Sequence, residues 1–290
     1  MAGKAQRFDS RQSMNNKSFE VFHYREKKTD NIGLHHHDFF EVYFFLGGHV
    51  DFRVEGTSYQ MEPGDLLLIN PQELHQAIVS PDSQYERIIL WIDKNYLSQL
   101  SCPEFPLSAC FDNTSPGHIN LLRPDKVHRV LLQDQLEKLT AEFYGGKPGS
   151  SIYAQGLLMQ FLVELNRLSR NLSKQVRPSD EPDLISRVLS YIGSHFQEQI
   201  TLESLAAEFY VSKFYLSHEF HRRVGTSVYR YILFRRLLLA KELMEEGQSP
   251  GAVYQSCGFG DYANFYRVFK AEYGISPSEY CHKIKLSTSD

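Results

Sequence analysis

One supersecondary pattern occurs twice in the C-terminal third of this chain. Residues 258–280 read GFGDYANFYRVFKAEYGISPSEY, and residues 210–232 read YVSKFYLSHEFHRRVGTSVYRYI. Phe220 and Phe269 lie 49 residues apart, as do Leu216 and Phe265, Gly225 and Gly274, and Tyr231 and Tyr280. A repeat of this length marks one structural unit built twice. It restricts the fold of the surrounding chain more than any single motif does.

Each copy predicts a short helix, a tight turn and a longer helix. In the first copy Leu202, Leu205 and Ala206 line the inner face of the short helix, and Ser212 caps the helix that follows. Leu216 and Phe220 are four apart and share one inward face. At 100° per residue the opposite face carries Phe214, Ser217, His218 and His221, with Arg222 beside it and Lys213 at the start. In the second copy Phe265 and Phe269 are the inward pair and Asp261 is the cap. The outer face carries Ala263, Tyr266, Arg267 and Lys270, with Tyr262 beside it.

Such a face suits a DNA major groove. Arg reaches guanine O6 and N7 together, hydroxyls meet base edges, and aromatic groups meet thymine methyls. Flanking Lys and Arg, with helix N-termini, hold phosphates and fix the register. The intervening helix YRYILFRRLLLAKELMEE spans about 27 Å at a rise of 1.5 Å per residue. That spacer suits two reading helices roughly one DNA turn, ~34 Å, apart. The competing readings are a helical bundle whose polar faces are merely solvated and, separately, a helical protein-interaction module without DNA contact. Two copies with matching core, cap and Gly positions favour DNA.

Charge supplies no shortcut. Residues 183–290 hold 12 Lys+Arg and 12 Asp+Glu, so the whole net charge of −4 falls in the first 182 residues. DNA binding must therefore rest on local placement of charge. The 290 residues are enough for two domains, and 42% apolar with 23% charged residues is ordinary for a globular chain. Cys102, Cys110, Cys257 and Cys281 form no CxxC pair and read as free thiols of a reducing compartment. The first residues carry no apolar signal segment, and no window reaches ~18 uninterrupted apolar residues. A cytoplasmic location is expected.

The text changes character along the chain. Residues 19–95 are strand-like, with FEVFHYR, FFEVYFFL, HVDFRVEG, TSYQM, DLLLIN, HQAIV and YERIILWI punctuated by turn residues. Residues 94–124 read as irregular, broken by Pro103, Pro106, Pro116 and Pro124. Two helices are expected at 125–144 and 150–172, the second apolar around much of its circumference. The polar stretch 173–182 suits a linker, and from Asp183 onward everything reads helical. The expected domains are a disordered N-terminus (1–18), an effector and dimerisation domain (19–172), the linker, and a DNA-binding domain (183–290). The last carries helix-turn-helix units at about 202–224 and 250–273.

The C-terminal residues resemble the AraC/XylS family of bacterial transcription regulators. CGFGDYANFYRVFKAEYGISPSEY carries that family's signature, ITLESLAAEF and SKFYLSHEFHRRVG resemble its first motif, and RRLLLAKELM resembles its connecting helix. The resemblance implies two helix-turn-helix units on one domain, and RNA polymerase as a partner. By position it implies groove contacts from Lys213, Phe214, Ser217 and His218, then from Tyr262, Ala263, Tyr266 and Arg267. The chain departs from the pattern at Tyr210, where Gly is usual, at His218, often Arg, and at Tyr254, usually small. Pro250-Gly251 opens the second short helix with poor helix formers, so a frayed or shifted helix is expected there.

In the first domain, His35, His37 and Glu41 follow an HxHxxxE spacing and His75 follows a PxxxH turn. These motifs resemble the cupin barrel, in which such residues converge on one cavity. The expected fold is therefore multidomain: a cupin-like antiparallel β-barrel with two following helices, then an all-α domain. His35, His37, Glu41, Tyr43, Arg53, His75 and Trp91 are the candidate effector-binding residues. An organic-effector pocket without a metal or other cofactor is the favoured reading, a carbohydrate suiting polar and aromatic linings. His35, His37, Glu41 and His75 are the metal candidates. The chain reads as a homodimeric, effector-responsive transcription factor and not an enzyme, activation being implied by resemblance. The rival is a metal-dependent cupin enzyme fused to a helical interaction domain.

Overall fold

The computed structural model describes residues 13–27, 33–71, 73–80, 84–112, 120–173 and 183–287. Most of the expected disordered N-terminus and linker, residues 1–12 and 174–182, lies outside them. The chain divides into two compact units, Met1–Glu181 and Pro182–Asp290.

The first unit is built on antiparallel pairing. Strands β1 (Phe19–Glu26), β7 (Tyr85–Ile92), β2 (Phe40–Gly47), β5 (Leu66–Ile69) and β8 (Leu121–Leu122) form a five-stranded sheet in that order. Strands β4 (Thr57–Gln60), β3 (Val50–Val54) and β6 (His75–Val79) form a second sheet. Among the described residues the strands thus make two sheets and not one closed barrel, and this corrects the barrel expected from the sequence. The reason lies in the central strands: β5 is buried at every residue and β2 at most, so both faces of the larger sheet need a cover.

Alternation along each strand decides which cover each residue meets. Val42, Phe44, Leu66, Leu68, Ile88, Leu90 and Ile92 point to a helical layer. That layer comprises α1 (Lys94–Leu100), a 3-10 turn at Leu107–Phe111, α2 (Lys126–Phe143) and α3 (Ser150–Ser173). Tyr43, Phe45, Leu67, Ile69, Ile89 and Trp91 point the other way and pack with Val50, Phe52 and Val54 of the smaller sheet. The helix α1 was not expected within the irregular stretch. Asp93 initiates it, its carboxylate accepting the Tyr96 N–H at 2.9 Å.

The second unit contains α4 (Leu184–His195), α5 (Leu202–Glu208), α6 (Lys213–Val224), α7 (Val228–Glu245), α8 (Pro250–Ser256), α9 (Tyr262–Tyr273) and α10 (Pro277–Ser287). Side-chain caps start most of them: Asp183, Thr201, Ser212, Ser227 and Asp261 each accept backbone N–H groups. The helices α6 and α9 end alike, on left-handed Gly225 (φ 83°) and Gly274 (φ 73°). Arg236 of α7 donates to the carbonyls of Phe196 and Glu198 at 2.7 and 2.6 Å, satisfying groups left open after α4. The helix α8 is formed, contrary to the frayed helix expected. Pro250 stands in its first turn, where the missing N–H has no intrahelical partner to lose.

The turns inside the two repeats share one hydrogen-bond pattern. In the first, Val211 N–H donates to the Ala206 carbonyl and Tyr210 N–H to that of Ala207; in the second, Phe259 donates to Tyr254 and Gly258 to Gln255. These turn positions are 48 apart, whereas the caps Ser212 and Asp261 are 49 apart, so Gly260 is one extra residue in the second turn. Both turns need a left-handed residue. Gly258 (φ 86°) supplies it without strain, but Tyr210 (φ 55°) carries a Cβ into that region. A Cβ on Gly258 would also lie 2.5 Å from the Gln197 carbonyl oxygen. Opposite signs follow in thermal denaturation: Gly258→Ala destabilises the domain by about 1–3 kcal/mol, and Tyr210→Gly stabilises it by about 0.5–1 kcal/mol.

Candidate nucleic-acid interface and effector site

The reading helices owe their orientation to the pairs they bury. Leu216, Phe220, Phe265 and Phe269 are fully buried. Lys213, Phe214, Ser217, His218 and Arg222 of α6 are exposed, as are Tyr262, Ala263, Tyr266, Arg267 and Lys270 of α9. All ten candidate DNA contacts therefore lie on the outer side of their helices. Three of their cationic groups are engaged: Arg222 forks onto Glu219 at 3.1 and 2.6 Å, Arg267 donates to the Asn264 side-chain oxygen at 3.0 Å, and Lys213 is 3.6 Å from Glu203. The rings of Tyr262 and Tyr266 in α9 and of Tyr254 in α8 run in edge and tilted contact. Sequence reasoning left out Tyr210 and Tyr215, exposed beside the first reading face; the αL turn and the helix N-terminus put them there.

The sensor cluster begins from one backbone bridge. His35 and His75 face each other across an antiparallel pair of N–H···O bonds of 3.1 and 2.9 Å. His75 opens β6 of the smaller sheet, while His35 precedes β2 of the larger, so the two sheets meet here. Two residues on, His37 is fully enclosed, its Nε2 3.1 Å from Glu41 Oε2. Glu41 lies opposite Trp91 in the β2–β7 register, and Trp91 Nε1–H donates to the same oxygen at 2.8 Å. His37, Glu41 and His75 bring one ligand atom each within 4.8 Å of one another.

The ring protons are fixed by backbone carbonyls. His35 Nδ1 lies 2.9 Å from the Gly33 oxygen, His37 Nδ1 2.9 Å from that of Phe39, and His75 Nδ1 2.8 Å from that of Glu73. A carbonyl only accepts, so each Nδ1 carries the proton and each neutral ring keeps its lone pair on Nε2. The buried Nε2 of His75 has no hydrogen-bond partner among the described residues. Burial holds the His75 imidazole well below its usual pKa, helped by His35 and His37, and burial also lowers that of His35.

Other candidates divide. Tyr43 is buried on the same face of β2 as Glu41, its hydroxyl bonded to that of Tyr85, and burial first, then Tyr85, raises its pKa well above the phenol range. Trp91 packs against Phe22 and Phe39. Arg53 is the correction: it sits between Phe52 and Val54, which point into the core, so strand alternation turns it to the opposite, outer face. Among the polar interior residues that sequence reasoning missed are Arg87, Tyr85 and Glu20. Arg87 is 2% exposed, bonds Glu26 at 3.1 Å and lies over the Tyr85 ring at 4.0 Å. Period-two reading of YERIILWI from Trp91 backwards reaches Arg87 and Tyr85. Glu20 accepts the N–H groups of Asn15 and Asn16, both at 2.6 Å. An open groove of about 530 Å³ runs beside it, lined by Asn15, Lys17, Glu20, Phe22 and Tyr144 among others. Phe22, which lines that groove, also packs edge-on against Trp91, 4.9 Å between ring centroids.

Two family matches now meet this geometry. An AraC-like ligand binding domain matches residues 19–99, and a helix-turn-helix domain matches residues 205–283, together more than half of the chain. The chain belongs to the AraC family of transcription regulators.

Among relatives of this AraC family regulator, the arabinose operon regulatory protein of Escherichia coli is 28% identical over 231 residues, 78% of this chain and 74% of that one. The HTH-type transcriptional activator RhaS of Salmonella arizonae is 25% identical over 249 residues, 84% of this chain and 86% of that one. The DNA-binding domain of AdpA, solved with a target DNA, is 26% identical over 37% of this chain and 96% of that one, with a TM-score of 0.35. The relatives are regulators, which favours that reading over the enzyme. No helix among the described residues is long and apolar enough to cross a membrane.

The buried histidines of this AraC family sensor domain set a pH dependence. His75 has its pKa lowered by folding, while in the unfolded chain it titrates near its ordinary value of about 6.5. Above that pH neither state takes up the proton and stability is full. Below it the unfolded chain binds a proton that the folded one refuses. Stability then falls by about 1.4 kcal/mol per pH unit for each such histidine. Thermal melts between about pH 7.5 and 5.5 should show this loss in the wild type and a shallower one in His75→Gln.

Proposed function

We propose that this regulator binds promoter DNA through the outer faces of α6 and α9, with Lys213, Phe214, Ser217, His218, Arg222, Tyr262, Ala263, Tyr266, Arg267 and Lys270 at the interface. The observation that carries the reading is the complete burial of Leu216, Phe220, Phe265 and Phe269, which leaves all ten residues outward. The 18 residues of α7 separate the reading helices, about 27 Å of helix, which suits consecutive major-groove segments.

A small effector binds between the two sheets of the first unit, near His35, His37, Glu41, Tyr43, His75 and Trp91. Buried polar groups among aromatic rings suit a sugar, and one relative is named for the arabinose operon. Two copies of the chain associate through the helical layer. Val127, Val130 and Leu131 form one exposed apolar stripe on α2, and Ile152 and Met159 form another on α3. Effector binding shifts the population of dimers able to occupy adjacent sites. The proteins named as relatives support a cytoplasmic transcription factor; the family resemblance adds RNA polymerase as partner, and a relative named as an activator supports activation.

Two experiments test these assignments. Against a panel of duplexes, Arg267→Ala should cost about 1–3 kcal/mol on the best site and relax preference at one base pair. Lys270→Ala, acting on phosphate, should weaken all duplexes alike and lower the salt slope by about one. Unchanged site preference in Arg267→Ala would remove α9 from base readout. For the dimer, Val130→Glu with Ile152→Glu should convert the chain to a monomer in sedimentation experiments while its melting temperature holds. A dimer that persists would place the interface elsewhere.

A further inference from the structure

The histidine–carboxylate cluster has a protonation pattern that its own hydrogen bonds do not complete. His37 directs its Nδ1–H at the Phe39 carbonyl, so a neutral ring offers Glu41 only a lone pair, at 3.1 Å from a carboxylate oxygen. Lone pair against lone pair at that distance requires a cation between them or one added proton shared by the ring and the carboxyl group. The added proton satisfies that contact alone. It leaves the buried His75 Nε2, 1% exposed as a residue, aimed into the cluster without a hydrogen-bond partner among the described residues. A cation bound by all three groups satisfies both.

The surroundings are those of held ligands. Each ring nitrogen turned away from the cluster donates to a backbone carbonyl, an arrangement that fixes ring tautomer and orientation in metal sites. Trp91 N–H does the same for Glu41, fixing the carboxylate oxygen. The three ligand atoms come from different segments, joined by the His35–His75 bridge and the β2–β7 register, and are prepositioned within 4.8 Å of one another. Cys110 and Cys257 are buried in core clusters elsewhere, so the available set is nitrogen and oxygen.

We infer that the first unit binds one divalent first-row transition-metal ion through Nε2 of His37, Nε2 of His75 and the carboxylate of Glu41. Two imidazoles and a carboxylate suit iron(II), cobalt(II), nickel(II) or zinc(II), and three protein ligands leave coordination positions for water or an oxygen donor. His35, whose ring lies 4.2 Å from that of His75, packs against the site and is not one of the three ligands. The inference is independent of DNA binding and of the effector's identity, and it departs from the metal-free pocket favoured by the sequence.

The test uses the full chain, stripped with a chelator and titrated with cobalt(II). One equivalent should bind, with visible absorption of a nitrogen- and oxygen-ligated ion, and the melting temperature should rise with cobalt concentration. His75→Gln and Glu41→Gln should each weaken cobalt binding at least tenfold, with far-ultraviolet circular dichroism confirming folding. Duplex binding is measured on the same samples. If the wild type shows no saturable cobalt spectrum and no thermal shift, the site is a ring and carboxyl group sharing a proton and the inference is overturned. Equal cobalt affinity in the wild type and both folded variants overturns it as well. Loss of duplex binding with cobalt binding intact would strike the regulator reading and leave the metal site standing.

Discussion

Burial of an apolar pair four residues apart fixes how each reading helix is rolled about its axis. Once Leu216 and Phe220 are enclosed, α6 has no freedom to choose its outer face, and Phe265 and Phe269 impose the same on α9. The polar groups then need no interaction of their own to be presented outward. This is how a domain with balanced charge can present one polar surface on each helix: the outward side chains are selected by what lies behind them. The caps Ser212 and Asp261 and the left-handed Gly225 and Gly274 bound both helices at matching points, so the two faces have equal length.

The first unit applies a different constraint to the same end. Its larger sheet is enclosed on both sides, by helices on one and by the smaller sheet on the other. Polar residues placed on the inner face of such a sheet must find partners inside. Glu41 does so with Trp91, His37 with the Phe39 carbonyl, Tyr43 with Tyr85, and Arg87 with Glu26. A buried polar interior between two sheets is a costly arrangement for stability alone, and it is the arrangement a small-molecule sensor requires.

Much of this was legible in the chain. The seven strand segments and the C-terminal helices lie close to where alternation and helical spacing put them, because both signals are local. The failures have physical causes. Asp93 caps a helix too short for periodicity to reveal, so α1 was read as irregular. Pro250 looked like a helix breaker, but at the first turn it costs nothing. Arg53 was grouped with the interior by residue type, when the alternation of Phe52 and Val54 already turned it outward. Arg87 was passed over because Glu26 and Tyr24 lie on another strand: they and the Tyr85 ring enclose it only once β1 and β7 pair.

The sequence by itself determined the repeat, the helix faces, the caps and the family, since each is written in residues no more than a few turns apart. Tertiary structure decided that the strands divide into two sheets, that Gly260 lengthens one turn, and that His75 meets His37 and Glu41. Those outcomes depend on which strands pair and in what register, a choice made by burial of whole faces between residues distant in the chain. No spacing along the backbone encodes it.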